Sequence, residues 1–493
     1  MEKIFKNKDY QIQGLYISAA KRNSGKTTIS IAVMRLLRDK GLIVQPFKKG
    51  PDFIDPMWLS AATGKNCYNL DFYFMSKDKI KKHFLEYSLN SDISIIEGNH
   101  GLYDSFDLYG KSSNASMAKL LSLPVILVID VGELNRGVVP LLLGFVNFDK
   151  NVNIKGVILN KVHSKRHEKN LIKAINYYTD LKVVGNIPND PELSIKQRHL
   201  GLLSTLAGKD IENLVFNISS KILNCLDLEG IIDISRIAPQ SLTKSYGNIK
   251  LKYNIITPPA KTESGRGVRR VKIGLAYDGA FNFYYNENIK ALENLGCDIF
   301  KFSPLEDVSL PEVDALYIGG GFPEIFCKDL EANINLRRDI REKIETGLPV
   351  YAECGGLMYL CRSIACDGIM YEMVGAIDAG VKWTKRPKGH GYTKLTPVFY
   401  DKNGRLWFNK IKSIKGHEFH HSYLENLETP LSNNMNFAFN VEKGFGVNGT
   451  SDGIIYKNII ASYTHVFSPA APKWFKNWVS FIKEIRKDLL KIK

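Results

Sequence analysis

The stretch Leu15-Tyr16-Ile17-Ser18-Ala19-Ala20-Lys21-Arg22-Asn23-Ser24-Gly25-Lys26-Thr27-Thr28 decides how this chain is read. An apolar run with strand character leads into a tight polar turn, and Ile29 to Arg38 continues as a helix. A strand, a turn ending Gly-Lys-Thr and a helix make a phosphate cradle. The N–H groups of the turn and of the helix N-terminus converge on one point, where the helix dipole favours an anion. Ser24, Gly25, Lys26, Thr27 and Thr28 are the candidate ATP contacts, with Lys26 reaching the outer phosphates and Thr27 holding a magnesium ion. Ala20 stands where such loops usually begin with glycine, and Lys21, five residues before Lys26, matches the signature lysine of a variant loop. Gly25-Lys26-Thr27-Thr28 can open an ordinary helix, but their place between strand and helix favours a nucleotide site.

Outward from that loop, residues 14 to about 220 alternate apolar strands with helical stretches, the pattern of a parallel sheet covered on both faces. Strands are expected at 14–19, 42–47, 93–97, 124–130, 155–160 and 182–186. Ligands of such sheets gather at the carboxyl ends of the strands. Asp52 and Asp55 follow the second strand, Glu97 closes the third, Asp130 the fourth and Asn160 the fifth, where Asn160 joins the ATP-site candidates. An acid at the position of Glu97, beside a phosphate loop, suits a magnesium ion; the plainer reading is a cap for the next helix. In Phe47 to Pro56, cations and carboxylates mix on a Gly/Pro turn. Lys48 is placed to neutralise a transferred phosphoryl group, and Asp52 to join Thr27 and Glu97 around the metal. Solvated loop charges are the commoner fate of such residues.

A second chemical centre lies in the other half. Leu348 to Glu353 reads as a strand, Cys354-Gly355-Gly356 as a sharp turn and Leu357 to Ser363 as the start of a helix. This is a nucleophile elbow, which predicts an exposed thiol whose thiolate is stabilised by the helix dipole. The N–H groups at Gly355, with those of Gly320 and Gly321 after the strand Ala315 to Ile318, are placed to bind an oxyanion and glutamine. A lone cysteine is more often buried and inert, but rarely so in Glu-Cys-Gly-Gly after a strand. A thiolate nucleophile wants a histidine, and His390, His417, His420, His421 and His465 are the candidates. His465 is favoured because it closes a late apolar strand, Ile459 to His465. A thiol with a histidine from a distant strand suits acyl transfer from an amide, glutamine above all.

The bulk properties narrow the class. The 493 residues suffice for two or three domains, and 44% hydrophobic with 24% charged residues is ordinary for a soluble globular protein. A net charge of +16, from 67 basic and 51 acidic residues, suits anionic small molecules. The lysines are scattered and no recognition module appears, so nucleic acid is not expected as a partner. Seven cysteines without a C-x-x-C pair argue against a disulfide framework or a zinc site. Met1 to Gln13 lacks the apolar core of a signal peptide, and no apolar run is long enough to span a bilayer. A cytoplasmic protein without membrane partners is the expectation. Thr257 to Gly267 reads as linker, dividing residues 1–245 from 271–493 across a connection at 246–270.

Further motifs carry a resemblance. They are Gln45 to Pro56, Asn69-Leu70-Asp71, Glu97 to Asp104, Arg198-His199-Leu200-Gly201-Leu202, Ala280 to Tyr285, Phe302-Ser303-Pro304-Leu305, Gly319 to Glu324, Ala352 to Leu357 and Gly416 to His420. In this order, over nearly the whole chain, they resemble the cobyrinic acid a,c-diamide synthases. The resemblance implies a dethiobiotin-synthetase-like P-loop ATPase domain with a parallel sheet, then a class I glutamine amidotransferase domain of flavodoxin-like topology. It implies amidation of the a and c acetate side chains of a corrin-type tetrapyrrole through acyl phosphates, with ATP and Mg2+, in cobalamin biosynthesis. Cys354 is then the nucleophile and His465 its base, while Asp55, Asp71 and Tyr103 fall at the substrate site. Ammonia would need an enclosed path between the domains, because ammonium is not nucleophilic. A homodimer is one option for assembly.

Three departures stand out. The phosphate loop carries less glycine than is usual in the family, and Phe467 stands where class I amidotransferases commonly have a glutamate two residues after the histidine. Asn99-His100 and Asp104-Ser105-Phe106-Asp107 look more like a subgroup associated with sirohaem or nickel-sirohydrochlorin, which makes those tetrapyrroles the alternative substrates. A reading from another class, a P-loop switch with a partner-binding second domain, draws on Lys21 but leaves the Cys354 elbow without purpose.

Overall fold

The computed structural model describes residues 12–193, 208–237, 269–398, 407–408, 411–425 and 435–492. The Arg198-to-Leu202 motif and nearly all of the expected linker at 246–270 lie outside the described residues. The chain divides into two compact units, one formed by described residues up to 237 and one by those from 269 onward.

The first unit is built on seven parallel strands: β1 (Gly14–Ala19), β2 (Val44–Lys49), β3 (Tyr68–Leu70), β4 (Ile93–Glu97), β5 (Val125–Asp130), β6 (Ile154–Val162) and β7 (Lys182–Pro188). Their order across the sheet is β3-β2-β4-β1-β5-β6-β7. Both faces are covered, which explains why strands such as Val125-Ile126-Leu127-Val128-Ile129 are apolar without alternation and almost wholly buried. Helix α1 (Lys26–Asp39) follows the polar turn and α2 (Ile54–Thr63) follows the Gly/Pro turn. The strand β2 differs from expectation: it begins at Val44 and runs on to Lys49. Lys48 and Lys49 are therefore part of the buried sheet rather than of the turn after it, a placement hydropathy argues against and nearby acids permit. The three-residue β3 was too short to leave a periodic signal.

The second unit holds a ten-stranded sheet. Its strands include β8 (Val271–Ala276), β10 (Cys297–Phe302), β11 (Ala315–Ile318), β13 (Val350–Glu353) and β22 (Ile459–Ser462), which pair in parallel in the order β10-β8-β11-β13-β22. The sheet continues antiparallel through β21 (Ser451–Tyr456), β20 (Asn436–Lys443), β17 (Gly389–Pro397), β18 (Ile414–His420) and the two-residue β23 (His465–Val466). The remaining strands form two small sheets: β9 (Phe281–Phe283) with β12 (Gly320–Gly321), and β14 (Cys361–Cys366), β15 (Ile369–Glu372), β16 (Ile377–Trp383) and β19 (Ser422–Glu425). Only Tyr463 and Thr464 separate β22 from β23, so the sheet must curl to bring β18 back over the carboxyl end of β22.

Two sequence expectations change here. The helix after Cys354 spans only Gly355–Leu360, and Cys361, Arg362 and Ser363 already belong to β14. His465 does not close the strand that begins at Ile459; that strand stops at Ser462, and His465 opens β23 opposite His417. No helix among the described residues is long and apolar enough to cross a membrane.

Candidate active sites

In the first unit the carboxyl ends of β1, β2, β4 and β6 surround a cavity of about 1440 Å³ lined by the loop from Ala20 to Thr28. Gly25 caps α1 with φ +83, a left-handed conformation costly for other residues, and a Cβ there would run into the Asn160 amide. Asn160 Nδ2 donates to the Ser24 carbonyl at 2.8 Å, and Ser24 Oγ donates to the Lys21 carbonyl at 2.9 Å. Both side chains thus shape the loop, while Thr28 Oγ1 donates to the Leu193 carbonyl at 3.4 Å. The sequence placed all three among the ATP contacts; all three line the cavity, and their side chains bond to backbone carbonyls of the cradle and of Leu193.

Behind the loop sits a buried ion cluster. Lys48, 2% exposed, lies between Asp55, with which it forms a close ion pair, and Glu97, whose Oε1 is 3.2 Å from Nζ. Burial opposes the charge on Lys48, but Asp55, then Glu97 and Asp52, outweigh it and hold the ammonium above the ordinary lysine value. Lys26 is shifted the other way, lowered by burial and then by Lys48. Burial followed by Asp55 raises the Asp52 carboxyl to about 7, and Asp52 Oδ1 accepts from the N–H groups of Ile54 and Asp55 at 2.8 and 3.1 Å. Thr27 Oγ1 donates to Glu97 Oε1 at 2.7 Å.

The residues expected to hold magnesium lie in this cluster. Among the described residues no cluster of three or more His, Cys, Asp or Glu could cage a metal by itself. Magnesium does not need one, since it keeps water and phosphate oxygens and uses one or two carboxylates. The second oxygen of Glu97 is buried without a hydrogen-bond partner, beside the Thr27 hydroxyl. Thr27 and Glu97, with Asp52 close by, therefore fit the ion.

The three substrate candidates scatter. Asp55 belongs to the Lys48 cluster. Asp71 is buried and caps a turn, accepting from Tyr73 and Phe74 N–H at 2.7 and 3.2 Å. Tyr103 donates its hydroxyl to the Phe145 carbonyl at 2.6 Å and packs on Phe145 and Phe148. Only Asp55 of the three lines the cavity. Sequence reading missed His100, which does line it, with a left-handed φ of +40 and Nε2 3.2 Å from Arg22 Nη2. Burial, then Arg22, lowers its imidazole to about 4. Its departure from the usual family form was the available signal.

In the second unit Cys354 joins β13 to the helical turn Gly355–Leu360 with φ +48 and ψ −102. A non-glycine residue there stores roughly 1–3 kcal/mol of strain, as expected of a nucleophile elbow. The expected exposure is overturned: Cys354 is 4% exposed, and its sulfur faces the Phe419 carbonyl at 3.8 Å because β18 folds over the turn. The surroundings disfavour the expected thiolate. Burial, then Glu324, pushes the thiol well above its ordinary value, against the Gly355 N–H, and a helix of six residues offers little dipole.

Gly321 gathers at this turn, and His465 packs against the neighbouring Gly320. A Cβ on Gly355 would stand 3.1 Å from Gly321 N, and one on Gly320 would meet the His465 ring, 3.1 Å from Nε2. His465 is 2% exposed, with Nδ1 3.6 Å from Glu353 Oε2. The other histidines differ in their contacts. His420 lies 3.6 Å from Glu418 and bonds the Ser422 carbonyl, and His421 bonds the Thr384 carbonyl. His390 packs against Phe419, and burial followed by His465 lowers His417 to about 3. Glu353 was missed because, next to the nucleophile in sequence, it reads as the last residue of a strand.

Comparison with known proteins follows the same division. A family model described as a CobQ/CobB/MinD/ParA nucleotide binding domain matches residues 15–202, and one described as a CobB/CobQ-like glutamine amidotransferase domain matches 272–472. The cobyrinate a,c-diamide synthase of Magnetococcus marinus is 39% identical over 478 residues, covering 96% of this chain and 98% of its own. That of Picrophilus torridus is 40% identical over 474 residues, covering 94% and 97%, and that of Caldanaerobacter subterraneus 38% over 452, covering 91% and 94%. With such likeness running from end to end, and with a phosphate cradle in one unit and a cysteine elbow in the other, this chain belongs to the cobyrinate a,c-diamide synthase family.

Proposed function

We propose that the protein is an ATP- and glutamine-dependent ligase that converts the a and c acetate groups of cobyrinate to amides. The observation that carries this reading is the pairing, in one chain, of a buried Lys48–Asp55–Glu97 cluster behind a phosphate loop with a strained cysteine elbow in the unit where His465 packs on Gly320.

In the first unit a carboxylate oxygen of the substrate attacks the terminal phosphorus of ATP, giving an acyl phosphate and ADP. The loop N–H groups and Lys26 hold the phosphates, and Lys48, kept charged by its acids, stabilises the transferring group. Magnesium, held by Thr27 and Glu97 with Asp52 nearby, would supply charge neutralisation on the phosphates. The cavity exceeds the usual range of roughly 300–1000 Å³ for a small-molecule site, which supports room for a second ligand beside the nucleotide.

In the second unit Cys354 attacks the side-chain carboxamide of glutamine while His465 takes the thiol proton. N–H groups around Gly321 and Gly355 receive the oxyanion. His465 returns the proton to the departing ammonia, and water hydrolyses the thioester to glutamate. Ammonia then attacks the acyl phosphate carbon, leaving an amide and inorganic phosphate.

Asn99 and His100, which line the cavity, keep sirohaem and nickel-sirohydrochlorin as alternative substrates. The test supplies ATP, glutamine and each tetrapyrrole in turn and follows products by mass. Two successive acid-to-amide changes on cobyrinate are expected; amidation of sirohaem or nickel-sirohydrochlorin alone would select the alternative, and no amide on any of the three would overturn the reading.

A further inference from the structure

We infer that Glu353, the residue before the nucleophile, is the positioning carboxylate of His465 and supplies from β13 the acid that Phe467 does not. The inference rests on the glutamine-hydrolysing role proposed for the second unit. Phe467 itself is buried and packs edge-on against Tyr285, with ring centroids 4.9 Å apart.

Glu353 is 1% exposed, and a carboxylate so placed is costly unless its oxygens are occupied. They are. Oε1 accepts from the Tyr351 hydroxyl and from Val466 N–H at 2.8 Å, and Oε2 accepts from the Tyr317 hydroxyl at 2.9 Å. These donors are neutral, and among the described residues the group of basic character within ion-pair distance is His465, whose Nδ1 is 3.6 Å from Oε2. The same carboxylate therefore ties down the backbone of the residue after His465 and faces the edge of its ring. The strand register reinforces this: Glu353 pairs with Ser462, three residues before the histidine, and the next N–H, that of Cys354, bonds the Ser462 carbonyl at 2.7 Å.

The ring orientation matters for chemistry. Nδ1 lies 3.6 Å from Glu353 Oε2, while the Cε1–Nε2 edge of the ring faces Gly320. An acceptor at Nδ1 keeps the proton there and leaves Nε2 bare to receive the Cys354 proton. At 3.6 Å the contact is longer than a hydrogen bond, and catalytic contacts of this kind tighten when substrate binds. The acid thus comes from the strand that carries the cysteine, so nucleophile and orienting group are neighbours on one rigid element.

The test uses the full chain with Glu353→Gln and Glu353→Asp. For Glu353→Gln, kcat for ammonia release from glutamine is expected to fall by about 10²–10⁴, the upper figure being that of the analogous change in a serine protease triad, with KM for glutamine nearly unchanged. ATP-dependent amidation driven by free ammonia should stay at the wild-type rate, which reports a folded and working chain. Glu353→Asp, which keeps the charge but shortens the side chain, should retain more glutamine hydrolysis than Glu353→Gln. A packing role predicts the reverse order, because Gln preserves size, and that order or a Glu353→Gln protein as fast as wild type would overturn the inference. If the wild-type chain released no ammonia from glutamine, the failure would lie with the proposed function instead.

Discussion

The two sites place ionisable groups at the carboxyl ends of buried strands and treat them in opposite ways. In the first unit a buried cation is kept charged: Lys48 is held protonated between Asp55 and Glu97, even though burial raises Asp52 and Glu97 and lowers Lys26. In the second the central group is kept neutral, since burial and the nearby acid Glu324 hold the Cys354 thiol protonated. The difference matches the chemistry. Phosphoryl transfer needs a field that is ready before the reaction begins, because reorganising charges during the step is costly. A thiol that becomes nucleophilic only with a proton acceptor and substrate in place avoids oxidation and idle hydrolysis.

That contrast breaks most sharply at the nucleophile. Cys354→Ala is expected to abolish ammonia release from glutamine, a loss of 10⁴-fold or more on the order seen for other nucleophiles, while free ammonia still supports amidation. Lys26→Ala should do the opposite: amide formation falls by about 10³-fold and glutamine hydrolysis persists, measured with separate ammonia and amide assays. Gly320→Ala should reduce glutamine hydrolysis about 100-fold, because the added methyl displaces the His465 ring, with ammonia-driven amidation intact. Lys48→Met should lower stability by roughly 3–5 kcal/mol by denaturant unfolding, since Asp55 and Glu97 lose their buried cation. Unchanged stability would mean that the first unit does not depend on its charges.

The smallest effect concerns pH. His417 titrates near 3 in the folded protein and near 6.5 when unfolded. Below 6.5 the unfolded chain takes up a proton that the folded one refuses, so stability contributed by neutral His417 declines as pH falls toward 3. The slope is at most about 1.4 kcal/mol per pH unit. Comparing unfolding at pH 7 and pH 5, His417→Gln should flatten the decline relative to wild type.

Sequence alone made the sheets legible where burial on both faces leaves continuous apolar runs, as in Val125 to Ile129, and where a Gly-Lys-Thr turn follows a strand. It was least informative where tertiary pairing overrides hydropathy. Lys48 and Lys49 end a buried strand because acids from α2 and β4 and the Asn99 carbonyl meet them, which composition could not show. The exposure of Cys354 was misjudged because its cover comes from β18, some 65 residues away in sequence. Glu353 went unnoticed for a related reason: its partners Tyr317, Tyr351, His465 and Val466 come from three strands.

The most direct measurement of the whole account labels both ends of the reaction. The acetate carboxylates of cobyrinate carry oxygen-18, the side-chain amide of glutamine carries nitrogen-15, and the reaction runs with ATP and the wild-type chain. Phosphorylation of the carboxyl group followed by nitrogen transfer predicts one oxygen-18 in inorganic phosphate and one nitrogen-15 in the product for each amide formed. Unlabelled phosphate alongside labelled amide would contradict it, because the carboxyl group would then have been activated without ever bonding to phosphorus.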